Sequence, residues 1–132
     1  MIQKDPVKGD HIRVNRVVYY HHGIYVSDNK VIHYNTEGDG DGLSGNAKVL
    51  CTSLDDFLEG GKCQVRNYSS YEKKLLFPAG IIAKRAKGKL GEKGYNLVFN
   101  NCEHFANWCA LGVKKSEQVE DLFDTMDDIV LR

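Results

Sequence analysis

In the first third of the chain, apolar positions fall in short β-branched and aromatic runs separated by polar residues, the pattern of strands. Residues 12–20 carry Val14, Val17 and Val18, and the stretches 22–26 and 30–34 follow with the same character. Between these last two, Ser27-Asp28-Asn29 is turn chemistry, so they are expected to form a hairpin. Residues 37–45 hold four glycines and two aspartates and read as a surface loop. Residues 47–51 and 62–68 read as further strands. Between them, Ser53 followed three positions later by Asp56 is a variant of the capping box. It should open a short helix through Leu58 that stops at Gly60-Gly61.

The period then becomes helical. Pro78 suits the first turn of a helix running to about Lys89, with Gly91 and Gly94 beyond it. Residues 95–99 read as one more strand. Asn101 is a good N-cap for a helix starting at Cys102, whose apolar positions Phe105, Trp108, Cys109 and Gly112 follow helical spacing. Residues 119–131 form an amphipathic pattern through Leu122, Phe123, Met126, Ile129 and Val130. Strands grouped early and helices late predict an α+β fold, a mostly antiparallel sheet packed on helices.

Composition narrows the function classes. A chain of 132 residues is expected to form one compact domain spanning 1–132. Lysine plus arginine and aspartate plus glutamate both number 18, and this balance gives no indication of a nucleic-acid partner. The charges are nonetheless segregated. Residues 72–93 hold seven basic residues against two glutamates, and 117–128 hold six acidic residues and no basic one. Both could be solvated helix faces. The basic stretch 73–93 could also meet an anionic lipid headgroup surface in a transient membrane contact. The first ten residues lack the apolar segment of a signal peptide, and no run approaches the roughly 18 apolar residues that span a bilayer. The four cysteines, at 51, 63, 102 and 109, form no C-x-x-C pair, which suits free thiols in a reducing compartment. The expectation is a cytoplasmic, soluble monomer, peripheral to membranes at most.

The chemistry centres on Cys102. At a helix start, unsatisfied N–H groups and the positive end of the dipole favour a thiolate and can hold an oxyanion. Such a nucleophile needs a base, and the base needs an orienting partner. His21 and His33, twelve residues apart on strands expected to pair, can share one sheet face and supply both. His22 should point to the opposite face, as a surface or substrate-lining residue. His11 reads as exposed and His104 as structural. Cys51, Cys63 and Cys109 read as core or near-core residues, and Tyr25 as a half-buried strand tyrosine able to hydrogen-bond in the site. A zinc site built from His21, His33 and Cys102 is the chemical rival, but no ligand pair has zinc spacing. The expectation is therefore no metal and no cofactor.

Three segments carry a resemblance: His21-His22-Gly23-Ile24-Tyr25-Val26, Val31-Ile32-His33 and Asn101-Cys102-Glu103-His104-Phe105. Together they resemble the lecithin:retinol acyltransferase family, most closely its small phospholipase/acyltransferase branch, the H-Ras-like tumour suppressors. The likeness begins at Gly9-Asp10 and runs through Asn107 and Gly112-Val113 to Val119. It implies a circularly permuted papain-like cysteine-hydrolase fold, with the histidine strands preceding the cysteine helix. It also implies that Cys102 attacks a phospholipid or other acyl ester to give a thioester, with His21 as general base and His33 steadying it. Arg16 matches an arginine thought to help bind the oxyanion. His22 departs from the branch, where an aromatic residue is usual, and Gly23 is closer to the retinol-esterifying members. A permuted papain-like peptidase or amidase is the alternative enzyme class, and an inactive interaction module the non-enzymatic one. The intact set of Cys102, His21 and His33 argues against the last.

Overall fold

A computed structural model describes residues 1–36, 47–93 and 101–112, and there the β-branched runs form strands. The strands are β1 (Ile2–Gln3), β2 (His11–Asn15), β3 (Tyr20–Ser27), β4 (Lys30–Thr36), β5 (Ala47–Ser53) and β6 (Gln64–Val65). The helices are α1 (Leu54–Leu58), α2 (Ser70–Leu75), α3 (Ala79–Gly88) and α4 (Asn101–Leu111). All strand pairings are antiparallel, in the order β1-β6-β2-β3-β4-β5, so the expected α+β class with an antiparallel sheet holds.

Side-chain alternation along β3 and β4 divides the core in two. On one face Ile24, Val26, Ile32 and Tyr34 pack against Ile82, Ala83 and Ala86 of α3 and Phe105, Ala106 and Cys109 of α4. On the other, Ile12, Val14, Val31 and Val65 surround Phe57 of α1. The β3–β4 hairpin turns as expected at Asp28 and Asn29, whose φ values of 48° and 61° mark a two-residue turn of the primed type. Ser53 caps α1 by accepting from the Asp56 N–H at 3.0 Å.

Several expectations shift. The stretch 12–20 is not one strand. Asn15 Oδ1 accepts the Val17 N–H at 2.7 Å, and the Arg16 N–H donates to the Tyr19 carbonyl at 2.8 Å, so the chain reverses between β2 and β3. Val17 and Val18 stand on that tip, 94% and 78% exposed, with Val17 in the left-handed region at φ 77°. An asparagine side chain closing onto the backbone two residues ahead outweighed the β-propensity of the valines. The strand expected over 62–68 contracts to β6, because Ser69 and Glu72 form a reciprocal capping box that opens the unanticipated α2. Strand β1 was also not expected. Pro78 is the N-cap of α3 rather than a residue of its first turn. The loop 37–45, the strand 95–99 and the helix 119–131 lie outside the described residues.

Gly23 decides how closely the two layers approach. A Cβ there would lie 2.8 Å from Val31 Cγ1 and 2.9 Å from the Phe57 ring. Both neighbours are fully buried. Gly23→Ala is therefore expected to destabilise the protein by about 1–3 kcal/mol through overpacking. Urea unfolding of the two proteins checks this, and an unchanged midpoint would show that Phe57 can retreat freely.

Candidate active site

His21 on β3 and His33 on β4 point to the Phe57 face of the sheet. His21 Nε2 lies 2.8 Å from His33 Nδ1, and His33 Nε2 lies 3.0 Å from Thr52 Oγ1 on β5. The Thr52 hydroxyl in turn donates to the Ser53 carbonyl at 3.1 Å. The Phe57 ring covers both imidazoles, with centroids 5.1 Å from each. Both histidines are 2% exposed. Burial pushes both below the ordinary imidazole value, with the Arg16 charge adding to it at each and His33 also acting on His21; His33 falls to about 3. The pair is thus neutral at physiological pH.

Cys102 enters from α4. Its Sγ donates to the Tyr20 carbonyl at 3.8 Å and is also met by the His22 backbone N–H, so the thiol touches the main chain on both sides of His21. Burial pushes the thiol up to about 11, although backbone N–H groups of His22, Glu103 and Cys102 pull the other way. This revises the expectation of a thiolate favoured by the helix start. The α4 N–H groups do favour the anion, but a thiol only 6% exposed loses more from desolvation than they return.

Arg16 secures the β2–β3 tip to α1. Its guanidinium donates to the carbonyls of Phe57 at 2.6 Å and Leu58 at 3.4 Å, and lies 3.5 Å from Glu59. Its charge still acts on both active-site imidazoles. Tyr25 shares the His21 face but stands four residues further along β3, and its hydroxyl accepts the Asn29 N–H at 2.9 Å in the hairpin turn. The structure therefore does not bring it to the pair.

Two histidines differ from expectation. His11 is fully buried rather than exposed, and His22 is 1% exposed rather than at the surface, because α4 covers that face of the sheet. Cys51 is exposed and Cys63 half-buried, whereas Cys109 is core. His104 is half-buried. Among the described residues no three His, Cys, Asp or Glu side chains are grouped to hold a metal. Thr52 and Phe57 were not singled out from sequence. The capped run Ser53–Leu58 carried the signal for Phe57, and only the β4–β5 register could have pointed to Thr52.

The family model described as Lecithin retinol acyltransferase matches residues 4–115. The chain belongs to the lecithin retinol acyltransferase family. Among its relatives in that family, mouse Lecithin retinol acyltransferase is 30% identical over 144 residues, covering 94% of this chain and 62% of that protein. Human Phospholipase A and acyltransferase 3 is 33% identical over 129 residues, covering 89% of this chain and 78% of the relative. Human Phospholipase A and acyltransferase 4 is 32% identical over 127 residues. The chain thus spans somewhat less than two thirds of the length of the mouse protein.

Buried neutral imidazoles link stability to pH. His11, His21, His22 and His33 all bind protons less readily folded than unfolded. Their contribution is complete above the unfolded value of about 6.5 and is lost as pH falls towards the folded values, about 3 for His22 and His33. Each such group costs about 1.4 kcal/mol per pH unit across that window. The urea midpoint should be flat from pH 8 to 7 and fall steadily below 6.5, less steeply in His33→Asn. A midpoint unchanged down to pH 5 would contradict the neutral buried pair.

Proposed function

We propose that this chain is a thiol-dependent acyltransferase or phospholipase. It would take an acyl chain from a phospholipid ester onto Cys102 and pass it to water, an amine or an alcohol. The observation that carries this reading is the oriented His21–His33 pair on β3 and β4, with the Cys102 thiol of α4 held to the backbone of Tyr20 and His22 on either side of His21, in a chain of the lecithin retinol acyltransferase family. The printed names of the relatives, acyltransferases and phospholipases, support the reaction class.

The hydrogen-bond chain dictates the tautomers. Because the Thr52 hydroxyl gives its proton to Ser53, it accepts from His33 Nε2–H. His33 Nδ1 is then an acceptor, and His21 Nε2–H donates its hydrogen bond to it. This leaves His21 Nδ1 as the basic lone pair. With a neutral thiol and a neutral imidazole, proton transfer accompanies attack: His21 takes the Cys102 proton as sulfur bonds to the ester carbonyl. N–H groups at the start of α4 receive the developing oxyanion. As the tetrahedral intermediate collapses, the alcohol leaves with the proton from His21, giving a thioester. Water or another acceptor, deprotonated by His21, then releases the acyl group and restores the thiol. Arg16 acts here by anchoring the tip and adding positive potential, and we assign Tyr25 to the hairpin turn.

We further read residues 1–132 as one catalytic domain in a permuted papain-like arrangement, supported by the histidine strands preceding the cysteine helix. The membrane contact falls to the exposed Val17 and Val18 beside the site, together with exposed lysines of the basic stretch such as Lys73, Lys84 and Lys87. Four free cysteines fit a reducing compartment.

After incubation with phosphatidylcholine vesicles, intact-protein mass spectrometry should show a gain of one acyl chain, absent in Cys102→Ser. His21→Ala should lower the rate by roughly 10³-fold or more. An adduct persisting in the serine variant would remove Cys102 as nucleophile, and peptide cleavage without any acyl adduct would favour an amidase. For the tip, Val17→Asn with Val18→Asn should lower turnover of vesicle lipid about tenfold while sparing a short-chain soluble ester. Equal losses on both substrates would place the defect in the site instead.

A further inference from the structure

The mechanism above uses one face of β3, and a second histidine pair occupies the other. His11 Nε2 lies 2.7 Å from His22 Nδ1, and His22 Nε2 stands 3.9 Å from Glu103 Oε2, a packing contact longer than a direct hydrogen bond. All three residues are at most 1% exposed. His22 directly follows His21, and Glu103 directly follows Cys102. The contact between them therefore joins the neighbour of the base to the neighbour of the nucleophile.

We propose that His22, backed by His11 and closed on Glu103, is a positioning device that seats the first turn of α4 on β3 and so holds Cys102 beside His21. This rests on the assignment of Cys102 and His21 made above. Alternation in β3 is what makes it possible: one strand presents the base on one face and the latch on the other. The hydrogen-bond direction supports it. His11 Nδ1 has no partner, so placing the proton there would bury an unpaired donor. With the proton on Nε2, His11 donates to His22 Nδ1, and the remaining His22 proton sits on Nε2, facing the carboxylate.

The surrounding charges fit the same role. Burial together with Arg13 and Arg66 keeps His22 neutral. Arg66 is itself tied to Asn107 of α4 and Glu72 of α2, and Arg13 to Gln64 of β6. The Glu103 charge opposes ionisation of Cys102, as does the thiol's burial, and Tyr19 from the β2–β3 turn faces the same sulfur. The carboxylate serves as an anchor whose charge is felt at the thiol.

Three variants test this: His22→Phe, His22→Gln and Glu103→Gln. The readouts are kcat and KM on a soluble short-chain ester, and the pH dependence of Cys102 alkylation by iodoacetamide, located by peptide mass spectrometry. His22→Phe should lower kcat at least tenfold with KM within twofold, and move the alkylation profile to higher pH. His22→Gln, whose amide N–H can still meet Glu103, should recover to within about threefold of the parent protein. Glu103→Gln, which keeps an acceptor and removes the charge, should move the profile to lower pH, and it decides the matter if the phenylalanine variant does not fold. A folded His22→Phe with unchanged kcat and alkylation profile would overturn the proposal, as would a Glu103→Gln profile that does not move. If the parent protein turns over no ester at all, the reaction reading fails, while the alkylation profiles still report on the latch.

Discussion

Two imidazoles buried side by side on paired strands must remain neutral, and every ring nitrogen facing protein needs a partner. In water either ring could protonate or turn at little cost. Beneath Phe57 neither can, because a charge there loses its hydration and a misdirected N–H loses its acceptor. From this constraint follow the close approach allowed by Gly23, the ring of Phe57 laid across both histidines and the hydroxyl of Thr52 ending the chain. In the proposed mechanism the same constraint makes the His21 Nδ1 lone pair the basic atom.

The thiol obeys related physics with a different result. A helix start offers N–H groups to a sulfur anion, yet Cys102 is so enclosed that desolvation dominates and the resting group is the neutral thiol. A neutral pair avoids burying two opposite charges before substrate arrives. In the proposed reaction its cost is that sulfur attack and proton transfer go together, which demands close control over where sulfur and imidazole stand. That demand gives meaning to the rigid surroundings: Arg16 bonded to the end of α1, the tip hydrogen-bonded within itself, and α4 laid across β2, β3 and β4.

Strand β3 is the common support. Its odd positions, His21, Gly23 and Tyr25, face α1, and its even positions, His22, Ile24 and Val26, face α3 and α4. Polar residues at the β2 end of both faces lie inside the protein, which is costly unless they are satisfied in networks. Apolar residues fill the remainder of each face. Buried histidines are thus gathered at one end of the strand, where Cys102 meets it, and the mainly apolar packing that stabilises the sheet lies at the other.

Read alone, the sequence determined the features that depend on local chemistry. The β-branched runs defined β3, β4 and β5, the Asp28-Asn29 turn set their hairpin, Ser53 announced α1, and the family motifs picked out His21, His33 and Cys102. Local rules also misled where two of them competed. Asn15 broke a β-branched run, and Ser69 with Glu72 opened a helix within a stretch read as strand. Tertiary structure alone decided what covers each sheet face, since burial depends on elements distant along the chain. His11 and His22 are buried because α4 lies over them, not because of anything near them in sequence. Thr52 reaches His33 only through the β4–β5 register, and the Cys102 thiol is neutral only because its enclosure outweighs the helix start it occupies. Sequence named the candidate groups; packing fixed their protonation, because ionisation answers to the whole surrounding volume rather than to neighbours in the chain.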